Sequence, residues 1–197
     1  MKAVLQNRAI AFFTSLVPIL LTAISPVLPM WYFHLNAPFY GQRWLEVIIH
    51  PLTGVRGDIE EVNIVNHYVG LDKIGNEYIP ELPYLPYVYV LLLALMIVQG
   101  YSLLRRKSRI ALVTTVLAAV TFASTLGYVY FWLYRYTHTI QPGAPVKIEP
   151  FDPPFLGEYK IANFVIRSTI GPSLILHVAA IIIGAVGLIR SRKWSGQ

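Results

Sequence analysis

The stretch IALVTTVLAAVTFASTLGYVYFWLY, residues 110–134, runs from Arg109 to Arg135 without a single Asp, Glu, Lys or Arg. At about 1.5 Å per residue it can cross the roughly 30 Å hydrocarbon layer of a bilayer as one helix. Three more charge-free runs lie between Arg8 and Arg43, between Glu81 and Arg105, and between Arg167 and Arg190. With 55% apolar and only 13% charged residues, the 197-residue chain lacks the balance of a water-soluble domain. The expected fold is an all-α integral membrane protein. A single membrane domain covers 1–197, with spans near 9–33, 83–104, 110–134 and 168–189.

Flanking charge sets the orientation. Lys2, Arg8, Arg105, Arg106, Lys107, Arg109, Arg190, Arg192 and Lys193 form one side's basic set with no acid among them, while all ten acids fall on the other side. By the positive-inside rule both termini are cytoplasmic, and the loops 35–82 and 138–167 lie outside the cell membrane. The net charge of +6 is therefore an inner excess and an outer deficit. It is not a nucleic-acid footprint; the expected surroundings are lipid and other membrane or outer-face subunits.

The first span begins with Lys and Arg but continues apolar through Trp31, Tyr32 and Phe33 with no small-residue cleavage site, so it is read as retained. Pro18, Pro26 and Pro29 kink it. Ala119, Ala123 and Gly127 in span three, and Ala180 and Gly184 in span four, are small residues at four-residue spacing that permit close helix contact. The aromatic residues from Tyr128 to Tyr136 are read chiefly as interfacial anchors.

The loop 35–82 is too long for a plain connection and is expected to carry structure. Gln42–His50, QRWLEVIIH, reads as a short interfacial helix ended by Pro51. Asp58–Leu71, DIEEVNIVNHYVGL, reads as an amphipathic helix. Glu60, Asn63, Asn66 and His67 fall on one arc, and Val62, Val65, Tyr68 and Val69 on the other. Asp58 and Glu61 have capping-box spacing, and Gly70 suits a left-handed stop. Asn63 or Asn66 would then orient the His67 imidazole; the plainer alternative is a solvated helix face. In the second outer loop, QPGAPVKIEPFDPPFLGEYK favours a stiff extended path that can lie across the first loop.

The chain has no cysteine, which excludes disulfides, Cys-ligated clusters and covalent haem. Any metal falls to His, Met, carboxylate or carbonyl groups. His34, His67 and His138 map to the outer face and are the candidate metal ligands, although no local motif such as HxxxH joins them. His177 lies inside span four, near mid-membrane if that span starts at 168, and is the candidate contact for haem or quinol. Its alternative is a neutral histidine bonded to a neighbouring helix. No nucleophile elbow, phosphate loop or zinc-protease motif is present, which points away from an enzyme.

Two outer stretches resemble a small four-span membrane protein family encoded with clade II nitrous oxide reductases and related respiratory operons. Asn63–Leu71, NIVNHYVGL, is similar to that family's Asn-His-Tyr-Ile-Gly-Met pattern, and Pro153–Phe164, PPFLGEYKIANF, to its Pro-Pro-x-Leu-Gly and Asn-Phe pattern. Together they cover about a tenth of the chain. The resemblance picks out Asn66, His67, Tyr68, Gly70, Pro153, Pro154, Gly157, Asn163 and Phe164; of these all but His67, together with Asn63 beside them on the helix, are expected to bind a partner. Where the family has Met this chain has Leu71, which removes the thioether of a soft copper site with His67. The expected function is a non-enzymatic accessory membrane subunit of a respiratory electron-transfer or copper-enzyme complex, presenting an outer platform to a partner or metal. The alternatives are a subunit contacting haem or quinol through His177 and a purely structural, lipid-facing subunit.

Overall fold

Four apolar helices carry the chain, as the charge-free runs require. The computed structural model describes residues 2–161 and 163–195, with the side chains of 9–161 and 163–191. The side chains of Lys2, Arg8, Arg192 and Lys193, all part of the orienting basic set, lie outside the described residues. In chain order the elements are helix α1 (Lys2–Ile24), strands β1 (Trp31–Asn36), β2 (Trp44–His50) and β3 (Gly54–Gly57), and helices α2 (Ile59–Val69), α3 (Leu85–Leu104) and α4 (Ser108–His138). Strands β4 (Gly157–Ile161) and β5 (Phe164–Ile170) and helix α5 (Pro172–Ser195) complete the chain. Helices α1, α3, α4 and α5 are long and apolar enough to cross a membrane.

The all-α expectation needs correction, because both long loops contribute to a five-stranded antiparallel sheet of order β3-β2-β1-β5-β4. The span expected at 9–33 ends as helix at Ile24, and its aromatic tail begins β1. The expected helix over 42–50 is strand β2. Its alternation was the overlooked signal: Leu45 and Val47 are buried, while Trp44 and Glu46 on the alternate face are not. The span expected from 168 starts as strand, and α5 begins at Pro172, whose fixed φ suits a first helical turn. Helix α4, at 31 residues, is about 46 Å long, well beyond the expected 25-residue span.

The chain divides into a helical unit (1–27, 86–124 and 172–197) and a sheet unit (28–85 and 125–171). In the helical unit α1 and α5 lie against each other, and the small residues of α5 behave as expected. A side chain at Gly184 would meet Gln99, and one at Gly187 would meet Thr14. The span-three stripe does not: Ala123 is exposed and Gly127 faces open space. Buried polar contacts join the helices, Gln99 donating to Thr115 Oγ1 at 2.6 Å and the Tyr89 and Ser173 hydroxyls meeting at 2.9 Å. Between helices of this membrane-crossing kind such bonds contribute little, because the loosened state finds other partners. Tyr89→Phe should therefore cost only about 0.6 kcal/mol, read as a thermal-midpoint shift of a degree or two in detergent.

The sheet unit has a conventional apolar core. Leu45, Val47 and Val55 of the sheet meet Val62, Val65 and Val69 of α2. Trp31 is fully buried; its Nε1–H donates to Ser168 Oγ at 2.7 Å, and that hydroxyl donates to the Phe155 carbonyl at 2.9 Å. Helix α2 forms where its periodicity places it and ends on left-handed Gly70, φ 80°. The start differs from the capping-box expectation. Asp58 makes no capping bond; its carboxylate accepts from Arg43 at 2.7 Å and from the Glu46 amide at 2.9 Å, which ties the helix start to β2.

Candidate functional site

The two stretches singled out in the sequence meet around one cavity inside the sheet unit. Its volume is about 140 Å³. Helix α2 supplies Val65, Asn66 and Val69, the extended strap before β4 supplies Phe151, Pro153 and Pro154, and β5 supplies Phe164. Phe33 and Val47 of the sheet and Trp132 and Tyr136 of α4 complete the wall. The strands place these residues by period-two alternation, which turns Phe33 and Leu35 inward while Tyr32 and His34 point to the opposite face.

Asn66 is on the buried side of α2, not on the solvated arc expected for it. Its amide donates to Asn63 Oδ1 at 3.4 Å and also bonds the Tyr136 hydroxyl, which in turn donates to the Asp72 carbonyl at 3.1 Å. Asn63 holds the following loop: its amide donates to the Ile74 carbonyl and its carbonyl accepts from the Ile74 amide, both at 2.8 Å. Neither asparagine orients His67. Tyr68, expected on the apolar arc, is exposed beside His67, their rings 6.3 Å apart. The Gly70 carbonyl accepts from Gln141 at 2.7 Å and the Tyr68 carbonyl from Val146 at 2.9 Å, so the second loop does lie along the first. Gly157 opens β4 with φ 98°, and Asn163 is exposed in the turn before buried Phe164.

The three outer histidines lie on different elements. His34 Nε2 is 3.3 Å from Glu46. It stands in a cross-strand row in which Glu46, His34, Arg167 and Glu158 are successive register partners, with Arg167 bonded to Glu158 at 2.9 Å. His138 takes the Tyr134 carbonyl at 2.9 Å through Nδ1 and stacks on the Tyr134 ring. His67 is exposed on α2. Among the described residues no three His, Asp or Glu side chains gather as a metal site.

His177 is five residues into α5, about 8 Å along the helix from Pro172. That is shallower than the mid-membrane depth expected from a span starting at 168. The ring is fully buried, stacked on Phe122 and edge-on to Tyr89. Ser25 Oγ donates to the Thr22 carbonyl at 3.0 Å, so the His177 Nδ1–H donates to Ser25 Oγ at 3.2 Å. Nε2 is then the bare acceptor, and it has no hydrogen-bond partner.

Trp132 and Tyr136, expected from the sequence to be anchors, instead face the cavity. Their i, i+4 spacing, which stacks the two rings at 5.2 Å, is the signal that marks one inward stripe on α4. Fold and site together describe a chain with four membrane-crossing-type helices and an antiparallel sheet unit that holds an apolar pocket. Comparison with protein-family models, with curated proteins and with solved structures finds no match to this chain.

Proposed function

We propose that the chain is a non-enzymatic accessory subunit of a respiratory electron-transfer assembly, with its sheet unit on the outer side offering an aromatic surface to a partner subunit. The observation that carries the reading is an exposed apolar patch. Phe39, Ile64 and Tyr68 are 56%, 51% and 44% exposed, and Phe39 and Tyr68 are in ring contact at 6.0 Å. Ile64 and Tyr68 are one helical turn apart on α2, with His67 beside them. Large apolar side chains grouped in this way, with aromatics prominent, are the usual anchors of protein interfaces. Nearby charges are already paired, Arg43 with Asp58 and with Glu61. The outward orientation rests on the basic flanks, and the respiratory setting rests on the resemblance of Asn63–Leu71 and Pro153–Phe164.

Removing both rings in Phe39→Ala/Tyr68→Ala should cut co-purification of electron-transfer subunits at least tenfold. Two interface aromatics together contribute more than the ~1.4 kcal/mol that a tenfold change requires. His67→Ala should weaken it less, by a few-fold. Undiminished co-purification of the double variant would sink this surface as the docking face. A second reading, contact of His177 with quinol or haem, draws on its bare Nε2. Bound quinone or a Soret band in the purified assembly that disappears in His177→Ala would favour it.

A further inference from the structure

We propose that the pocket of the sheet unit, walled on one side by the strap 148–154, binds one small, neutral, single-ring hydrophobic molecule. Size decides the class first. Protein interiors hold few voids larger than a water, so a cavity of about 140 Å³ is not ordinary packing slack. An apolar cavity of about 150 Å³ stays dry and accepts benzene, which sets the scale as one six-membered ring. Haem, nucleotides and whole lipids are too large to be held within that volume.

Chemistry decides next. No charged side chain lines the cavity. A charged ligand would lose its hydration there with nothing in return, a cost of several kcal/mol. Of the polar groups, Thr137 Oγ1 donates within its own helix to Leu133 or Tyr134, the Tyr136 hydroxyl donates to the Asp72 carbonyl, and the Asn66 amide donates to Asn63 Oδ1. Trp132, Phe151 and Phe164 supply ring faces and edges, and Val65 and Val69 supply branched aliphatic walls. The complementary ligand is therefore aromatic or quinoid in shape, uncharged, and weakly polar at most.

The strap forms one wall. Residues 148–154 form neither helix nor strand, yet Phe151 and Pro153 are buried against the cavity. Among the described residues the strap's backbone makes no backbone–backbone hydrogen bond; the burial of Phe151 and Pro153 and a 4.0 Å approach of Asp152 to His138 Nε2 hold it in place. A segment held in this way can shift to fit a ligand without breaking the sheet. Both stretches that the sequence singled out contribute to this wall, which gives them a shared role that the exposed patch alone does not.

The test uses the full chain in lipid nanodiscs with 3-trifluoromethyl-3-phenyldiazirine as photoprobe, followed by peptide mass spectrometry. Saturable labelling of 148–154 and of Trp132 is expected. Excess toluene should suppress it at least tenfold and benzoate should not. Val65→Phe, which fills the space, should abolish it while labelling of the apolar helices persists. Val69→Met provides a milder filling should Val65→Phe not fold, and the toluene–benzoate contrast needs no variant. Labelling confined to the helices, equal competition by benzoate, or labelling unchanged in a folded filled variant would each overturn the site.

Discussion

Trp31→Ala is expected to destabilise the sheet unit by about 3–5 kcal/mol, the range for truncating a large buried aromatic. Trp31 has no exposed surface and sits at the start of the central strand, with Ile49 on one side and Ile170 on the other. Its loss leaves a void between β1 and Phe155, whose ring lies 4.8 Å away, and removes the donor to Ser168. Ser168 keeps its own bond to the Phe155 carbonyl, so Trp31→Phe should cost far less, about 1–2 kcal/mol. Hydrogen exchange resolves the effect. Amides of β1, β2 and β5 should lose protection together in Trp31→Ala, while those of α3 should not.

Asn63→Ala is expected to cost about 2–3 kcal/mol, from two hydrogen bonds of roughly 1–1.5 kcal/mol each. The side chain pins the 71–76 loop at both the amide and carbonyl of Ile74. Asn63→Asp retains the acceptor but loses the donor, and should cost about half as much. The measurement is a urea midpoint with its slope, for which an unchanged slope identifies a change in stability and not in compactness. A partner-contact role predicts the opposite outcome for Asn63→Ala, unchanged stability with impaired co-purification. The sequence placed Asn63 among the residues expected to bind a partner; its geometry makes it a brace for the 71–76 loop.

Much of the helical part was legible because its signal is long. Charge-free runs of twenty or more residues identify helices α1, α3, α4 and α5 whatever their neighbours do, although ends such as Ile24 and His138 are set by tertiary packing that composition does not encode. Helix α2 was legible for a related reason, since eleven residues give three turns of periodicity and Gly70 marks the stop. The sheet was not. Each strand is seven residues or fewer, and WYFHLN or WLEVIIH differs little in composition from the end of a span or an interfacial helix. Their pairing is long-range: β1 lies beside β5, whose register partners are 129 or more residues along the chain. Asn66 and Tyr68 exchanged expected faces because both sit near the wheel's boundary, where the sheet and α4 decide which side is inside. For the same reason, the histidines could not be joined into a site from spacing alone. His34 was claimed by a cross-strand row with Glu46 and Arg167 that only the register reveals.

The most direct test of the accessory-subunit account is mild-detergent purification of the native chain and of Phe39→Ala/Tyr68→Ala, with mass spectrometry of co-purifying subunits and metal analysis on the same samples. The account predicts electron-transfer subunits in stoichiometric amount with the native chain, at least tenfold less with the double variant, and equal thermal midpoints for the two. A native chain that arrives alone, carries stoichiometric copper by itself, or keeps its partners after both rings are removed would contradict it.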